Sequence, residues 1–207
     1  MKSMRIFTLL VLTAFLISCG EDEIVLLPTE SETIKNLHAP QSGGQGQPIS
    51  GAFAKFDFDT GTQTTSETDW DIAFRGTAII VNGGTSQGTT DEPSRKSTAG
   101  VYIACGTMAT VTEVDEDAFL SDTASGLAIP TGSDNGWYNY SGPPSYLITP
   151  LSGKILVIRT SDDKYAKMEI LSYYKDAPAN PDAFTDAGRY YTFNYVYQPN
   201  DGILSFD

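Results

Sequence analysis

Two segments near the C-terminal end alternate so regularly that they dictate a pair of long strands. In Tyr165–Tyr174, Ala166, Met168 and Ile170 fall on one face and Lys167 and Glu169 on the other, the two-residue period of a half-buried strand. Residues 189–198 repeat the device with aromatics: Tyr191, Phe193, Tyr195 and Tyr197 share one face, with Thr192, Asn194 and Gln198 opposite. A slip of one residue would turn the whole aromatic row to water, so the register is strongly specified. Between the two, Asp176-Ala177-Pro178-Ala179-Asn180-Pro181-Asp182 and Asp186-Ala187-Gly188 are turn chemistry, and an antiparallel return is the simplest link.

The same period recurs upstream. Phe53, Phe56 and Phe58 interleave with Lys55 and Asp57 ahead of the turn Asp59-Thr60-Gly61, and residues 68–75 and 77–82 flank Gly76 as a hairpin. Residues 101–105, 146–149 and 154–160 also read as strands, the last apolar enough for the interior of a sheet. No helical period extends beyond a turn or two. The predicted architecture is all-β, a sandwich of two packed antiparallel sheets or an open barrel, with about eight to ten strands and long loops.

The N-terminal end carries a different message. Lys2 and Arg5 precede the apolar run 6–17, too short to cross a bilayer but of the right length for a signal-peptide core. It ends in Leu16-Ile17-Ser18-Cys19, which resembles the lipobox of bacterial lipoproteins: residues 1–18 would be removed and Cys19 would carry the lipid. The acidic Gly20-Glu21-Asp22-Glu23 resembles the surface-export tag of Bacteroidota lipoproteins, or is simply a solvated tether. Residues 24–50, rich in Pro, Glu, Ser, Thr, Gly and Gln, extend that expectation to a flexible lipidated tether over 19–50 and a β domain over 51–207. The glycines at 43, 44 and 46 follow no strand and precede no Gly-Lys-Ser/Thr, so they are not read as a phosphate loop.

Removing residues 1–18 takes two of 13 basic residues and none of the 26 acids, moving the formal charge from −13 to −15. Nucleic acid and anionic head groups are therefore poor partners, and the lipid anchor is the expected membrane contact. With Cys19 lipidated, Cys105 has no partner, and the fold must stand on its core alone.

Three segments together resemble the HmuY family of haem-binding surface lipoproteins of Bacteroidota: Asp69-Trp70-Asp71-Ile72-Ala73-Phe74 with Ile80-Val81-Asn82-Gly83-Gly84, the stretch 137–142, and the run 154–197. The resemblance implies a mainly β fold shaped like a right hand, with haem clasped between two extended loops. It also implies two axial ligands from those loops, histidines in the founding type and methionines in some relatives. Neither carries over. Gly142 stands where the founding type has a histidine, and the preceding loop, 121–136, has neither histidine nor methionine.

The remaining chemistry is sparse. His38 is the only histidine and falls in the expected tether, where it reads as solvated, so a bis-histidine complex is excluded within one chain. A Ser-His-Asp or Cys-His site would need His38 to reach the body, and no Gly-x-Ser-x-Gly motif is present, so an enzyme is not expected. Glu113, Asp115, Glu116 and Asp117 lack the glycine spacing of a calcium loop and read as a solvated turn. Met168 reads as core and Cys105 as a small buried hydrophobe. Met108, in a loop-like stretch, reads as gap filler or as a thioether ligand. Trp137, Tyr138, Tyr140 and Tyr146, around Gly142-Pro143-Pro144, form a candidate ligand wall for a flat apolar molecule, with Tyr138 or Tyr140 as a phenolate ligand; alternatively Trp137 and Tyr140 alternate into the core. Lys154, Arg159, Lys164 and Arg189 are the candidate partners for haem propionates.

The expected function is a surface-exposed outer-membrane lipoprotein that binds haem or a related porphyrin by stacking and non-histidine ligation and serves iron acquisition, with an outer-membrane receptor as a further partner. The alternative is an interaction lipoprotein of the same fold that binds a glycan or another surface protein. Lipidation is directly testable: Cys19→Ala should move the protein from the membrane to the soluble fraction, and unchanged membrane association would refute it.

Overall fold

The computed structural model describes residues 25–44 and 46–207. Cys19 and the expected signal segment 1–18 lie outside the described residues. Thirteen strands follow in order: β1 (Glu30–His38), β2 (Ser42–Gly44), β3 (Gln47–Ser50), β4 (Ala54–Asp57), β5 (Thr62–Thr64), β6 (Ile72–Arg75), β7 (Ala78–Val81), β8 (Gly100–Cys105), β9 (Tyr138–Tyr140), β10 (Ile148–Pro150), β11 (Lys154–Arg159), β12 (Tyr165–Tyr174) and β13 (Gly188–Gln198). The only helical piece among the described residues is a 3-10 turn, Glu116–Ala118. The fold is all-β as expected, with more strands than the alternation alone announces because several are three residues long.

A five-stranded sheet of order β1-β13-β12-β11-β8 faces a four-stranded sheet of order β5-β4-β6-β7, and two hairpins, β2-β3 and β9-β10, stand apart. All the strand pairs are antiparallel and no sheet closes into a barrel. The aromatic row of β13 makes the interface. Tyr191 and Phe193 pack on Phe74 at ring distances of 4.9 and 5.9 Å, and Tyr195 meets Phe58 at 5.3 Å and Phe56 at 5.9 Å. Gly76 closes the β6-β7 hairpin at φ +55, where a Cβ would lie 2.0 Å from the Gln41 side chain. Its carbonyl accepts from the Tyr191 hydroxyl at 2.9 Å, fastening the smaller sheet to the larger.

The reverse of the large sheet is covered too, which the alternation does not reveal. Val111, Val114, Ile155, Val157, Tyr165 and Phe206 form a second apolar cluster there, and Lys167, expected to face solvent, is buried beneath it. Its ammonium donates to the carbonyls of Met108 at 2.7 Å and Val111 at 2.8 Å, which makes the burial tolerable. Cys105, expected to be buried, is exposed at the end of β8.

The larger correction concerns the tether expected over 19–50. From Glu30 the chain is structured, with β1 paired along β13 and residues 42–50 folded as the β2-β3 hairpin. β1 is an edge strand whose outward residues are polar, and a register shift between Ile34 and Leu37 breaks its alternation. Charged outer faces and bulges are how edge strands avoid aggregation, and both erase the apolar signal.

Two buried carboxylates lock the loops. Asp122 accepts from Val81 N and Ala128 N and pairs with Arg95 at 2.8 Å, and Arg95 also meets Glu92 at 2.8 Å, pinning the long segment between β7 and β8. Asp71 accepts from Phe58 N at 2.8 Å and Ser161 N at 2.7 Å, joining the small sheet to the β11-β12 turn. Burial pushes the Asp71 carboxyl up to about 6, against the pull of those two amides. Because the folded value lies above the unfolded one, its contribution to stability is present in full below about pH 4 and is lost as pH rises through about 6, about 3 kcal/mol in all. Urea melts should therefore show the wild type falling by that order relative to Asp71→Asn between pH 4 and 8; a difference independent of pH would contradict the assignment.

Candidate functional site

Three flanks meet at one end of the large sheet. The β9-β10 hairpin stands on β12, where Ile148 N donates to the Tyr174 hydroxyl at 3.1 Å. The β2-β3 hairpin is tied to β13 through Gln41, whose carbonyl accepts from Arg189 Nη1 at 2.6 Å. The segment 175–187, returning from β12 to β13, is the third flank.

Between them lie two adjoining cavities of ≈ 800 and ≈ 440 Å³ that share Ile148, Tyr173 and Arg189. Gly43, Gly44, Thr77, Tyr138 and Tyr140 line the larger. His38, Tyr146, Tyr174 and Asp186 line the smaller. The volumes fall within the range of small-molecule sites. Arg189 and Tyr146 both hold left-handed backbone, φ +69 and +52, a conformation that costs non-glycine residues about 1–2 kcal/mol. Burial pushes the Tyr173 hydroxyl up to about 12, although the neighbouring Arg189 guanidinium pulls the other way. Tyr173 therefore offers the cavity a neutral aromatic face and a proton donor, with a permanent cation beside it.

The predicted wall is split by the structure. Trp137 is core: it is 2 % exposed, packs on Tyr191 at 5.1 Å, and its Nε1 donates to Thr77 O at 3.0 Å. Tyr138 is mostly buried at the back of the larger cavity, where its hydroxyl accepts from Gly132 N at 3.2 Å. Tyr140 and Tyr146 are exposed on the rims, Tyr146 edge-on to Phe184 at 5.7 Å. Met108 is nowhere near them, packed with the cluster on the reverse of the large sheet.

Of the four candidate cations only Arg189 reaches the cleft. Lys154 sits by Cys105 Sγ at 4.0 Å, Arg159 donates to Thr98 O at 2.7 Å, and Lys164 pairs with Asp162 at 3.3 Å. Among the described residues no three His, Cys, Asp or Glu side chains gather as a metal site.

Sequence reading missed His38, because the polar edge strand that carries it resembles a tether. The structure sets it against the cleft, so its reading as a solvated tether residue falls, while a bis-histidine complex within one chain stays excluded by the single histidine.

Residues 52–195, most of the chain, match the HmuY protein family. The chain belongs to the HmuY family. No curated protein matches it. Among solved structures it is similar to the apo HmuY analog of Tannerella forsythia, 15 % identical over 84 % of this chain and 99 % of that one, with a TM-score of 0.50. A candidate HmuY-like haem-binding protein of Bacteroides vulgatus ATCC 8482 is 16 % identical over 83 % and 93 %, TM-score 0.46. A candidate lipoprotein of Bacteroides fragilis NCTC 9343 is 16 % identical over 83 % and 90 %, TM-score 0.47. The likeness to the Tannerella forsythia structure is one of fold.

In this HmuY-family chain the hairpin tip is bare. Gly142 holds φ +64, with nothing within 4 Å of where a Cβ would stand. The donor set that remains, an aromatic and aliphatic floor, phenols on the walls, one imidazole and one guanidinium, fits a flat apolar ring bearing carboxylates and a central metal.

Because Trp137 is core and not wall, Trp137→Phe should destabilise the protein by about 1–3 kcal/mol, from the lost bond to Thr77 O and the smaller ring. Urea melts check this; an unchanged midpoint would contradict it.

Proposed function

We propose that this protein is a surface lipoprotein that binds haem or a related porphyrin in the cleft over Ile148 and Tyr173, in the service of haem or iron acquisition. Arg189 is the observation that supports it most. In a chain of net charge −13, one guanidinium lies half-buried between the two cavities beside the aromatic floor, where it suits a carboxylate carried on an apolar ring. The ring is held by stacking and by Arg189, with the exposed phenol of Tyr140 as the oxygen donor on the wall of the larger cavity. Tyr138 is the weaker choice, since its hydroxyl already takes a backbone amide. This is a binding role, not catalysis. Cys19 lipidation and outer-membrane display belong to the same proposal, with a membrane receptor as the recipient of the ligand.

The test is haemin titration, followed at the Soret band, of residues 20–207, which include the whole described fold. The wild type should saturate. Arg189→Ala should weaken binding about tenfold or more, the worth of a charge-assisted bond to a carboxylate. Tyr140→Phe should weaken the ferric complex more than the ferrous, because phenolate is a hard ligand matched to ferric iron. If no saturable binding appears in either oxidation state, the porphyrin reading fails and an interaction lipoprotein for a glycan or protein replaces it.

A further inference from the structure

His38 ends β1 on the wall of the smaller cavity, and it is the only histidine in the chain. Its ring lies parallel on Tyr190, its register partner across the β1-β13 pair, at 4.5 Å and 14°. The following amide, Ala39 N, donates to Arg189 O at 2.8 Å, so the strand holds His38 next to the cation of the cleft. The side chain is exposed rather than absorbed into the core.

Among the described residues the other soft or borderline donors are all elsewhere. Met168 is fully buried between the sheets, Met108 packs on the reverse of the large sheet, and Cys105 is exposed at the far end of β8 beside Lys154. Among the described residues, His38 is thus the one imidazole, thioether or thiol that lines the cleft. An imidazole so placed has a clear chemical use, since its neutral form donates a nitrogen lone pair to a transition metal. The parallel stack on Tyr190 restricts the ring before any ligand arrives, which lowers the ordering cost of forming a bond to it.

We propose that His38 supplies a nitrogen ligand to the metal of a porphyrin held in the cleft. This rests on the porphyrin reading above and adds to it a preference for metallated over metal-free rings. One metal–nitrogen bond forms, and the water or hydroxide bound axially to free haemin leaves; no electron is transferred. The stacking floor and Arg189 recognise the ring and its carboxylates, and His38 recognises the metal.

The experiment compares haemin with metal-free protoporphyrin IX on residues 20–207 of the wild type, His38→Ala and His38→Gly, with circular dichroism to verify the fold of each. His38→Ala should weaken haemin at least tenfold and shift its Soret band, leave protoporphyrin IX within twofold, and disturb both oxidation states of the iron. Added imidazole should restore the wild-type Soret band in His38→Gly. An unchanged haemin affinity and spectrum in His38→Ala would overturn the assignment. So would an equal loss for both rings without imidazole rescue, which would make His38 a shape element through Tyr190. Failure of the wild type to bind either ring would remove the porphyrin reading itself, and this inference with it.

Discussion

Burial of one aromatic row organises this molecule. Tyr191, Phe193, Tyr195 and Tyr197 stand on the inner face of β13 and meet Phe56, Phe58 and Phe74 of the opposing sheet. Each such side chain contributes about 1.5–3 kcal/mol by leaving water, and well-placed ring pairs add about 0.5–1.5 kcal/mol. Cys105, the one cysteine among the described residues, is exposed and unpaired, so that interface carries the association of the two sheets. It also fixes the register of β13, and so determines that Arg189 and Tyr190 arrive at the sheet's end, where the cleft opens.

What was legible in the sequence follows from how directly burial is written into alternation. β12 and β13 were legible because their inner rows are unbroken, and the Gly76 hairpin because a left-handed turn residue separates two apolar runs. β1, β2 and β3 were not, since an edge strand with one bulge and a three-residue hairpin strand have no room to show a period. Lys167 shows the complementary failure: a charged residue in the outward register reads as solvated, yet two carbonyls from the 108–111 segment satisfy it under an apolar cover. Both errors concern contacts supplied by distant segments, to which a local pattern is blind.

The candidate site was legible in part for the same reason. Tyr140 and Tyr146 could be picked out because aromatics around a Gly-Pro-Pro turn have little core to enter, whereas Trp137, one residue before β9, points inward. Arg189 was one of four equal cations until topology chose it. His38 became visible only once β1 was seen to run along β13. Family membership sets the scaffold, and the site has to be argued from the side chains placed on it.

β1 also sets a distance. It begins at Glu30, opposite Tyr197, and ends at His38, opposite Tyr190, beside the cleft. Nine residues of extended chain, at about 3.4 Å each, put these two ends roughly 27 Å apart. The chain therefore enters the fold at the pole far from the cleft. β1 spans the large sheet between the two, so the mouth of the cleft and the first residues of the fold face opposite ends of the molecule.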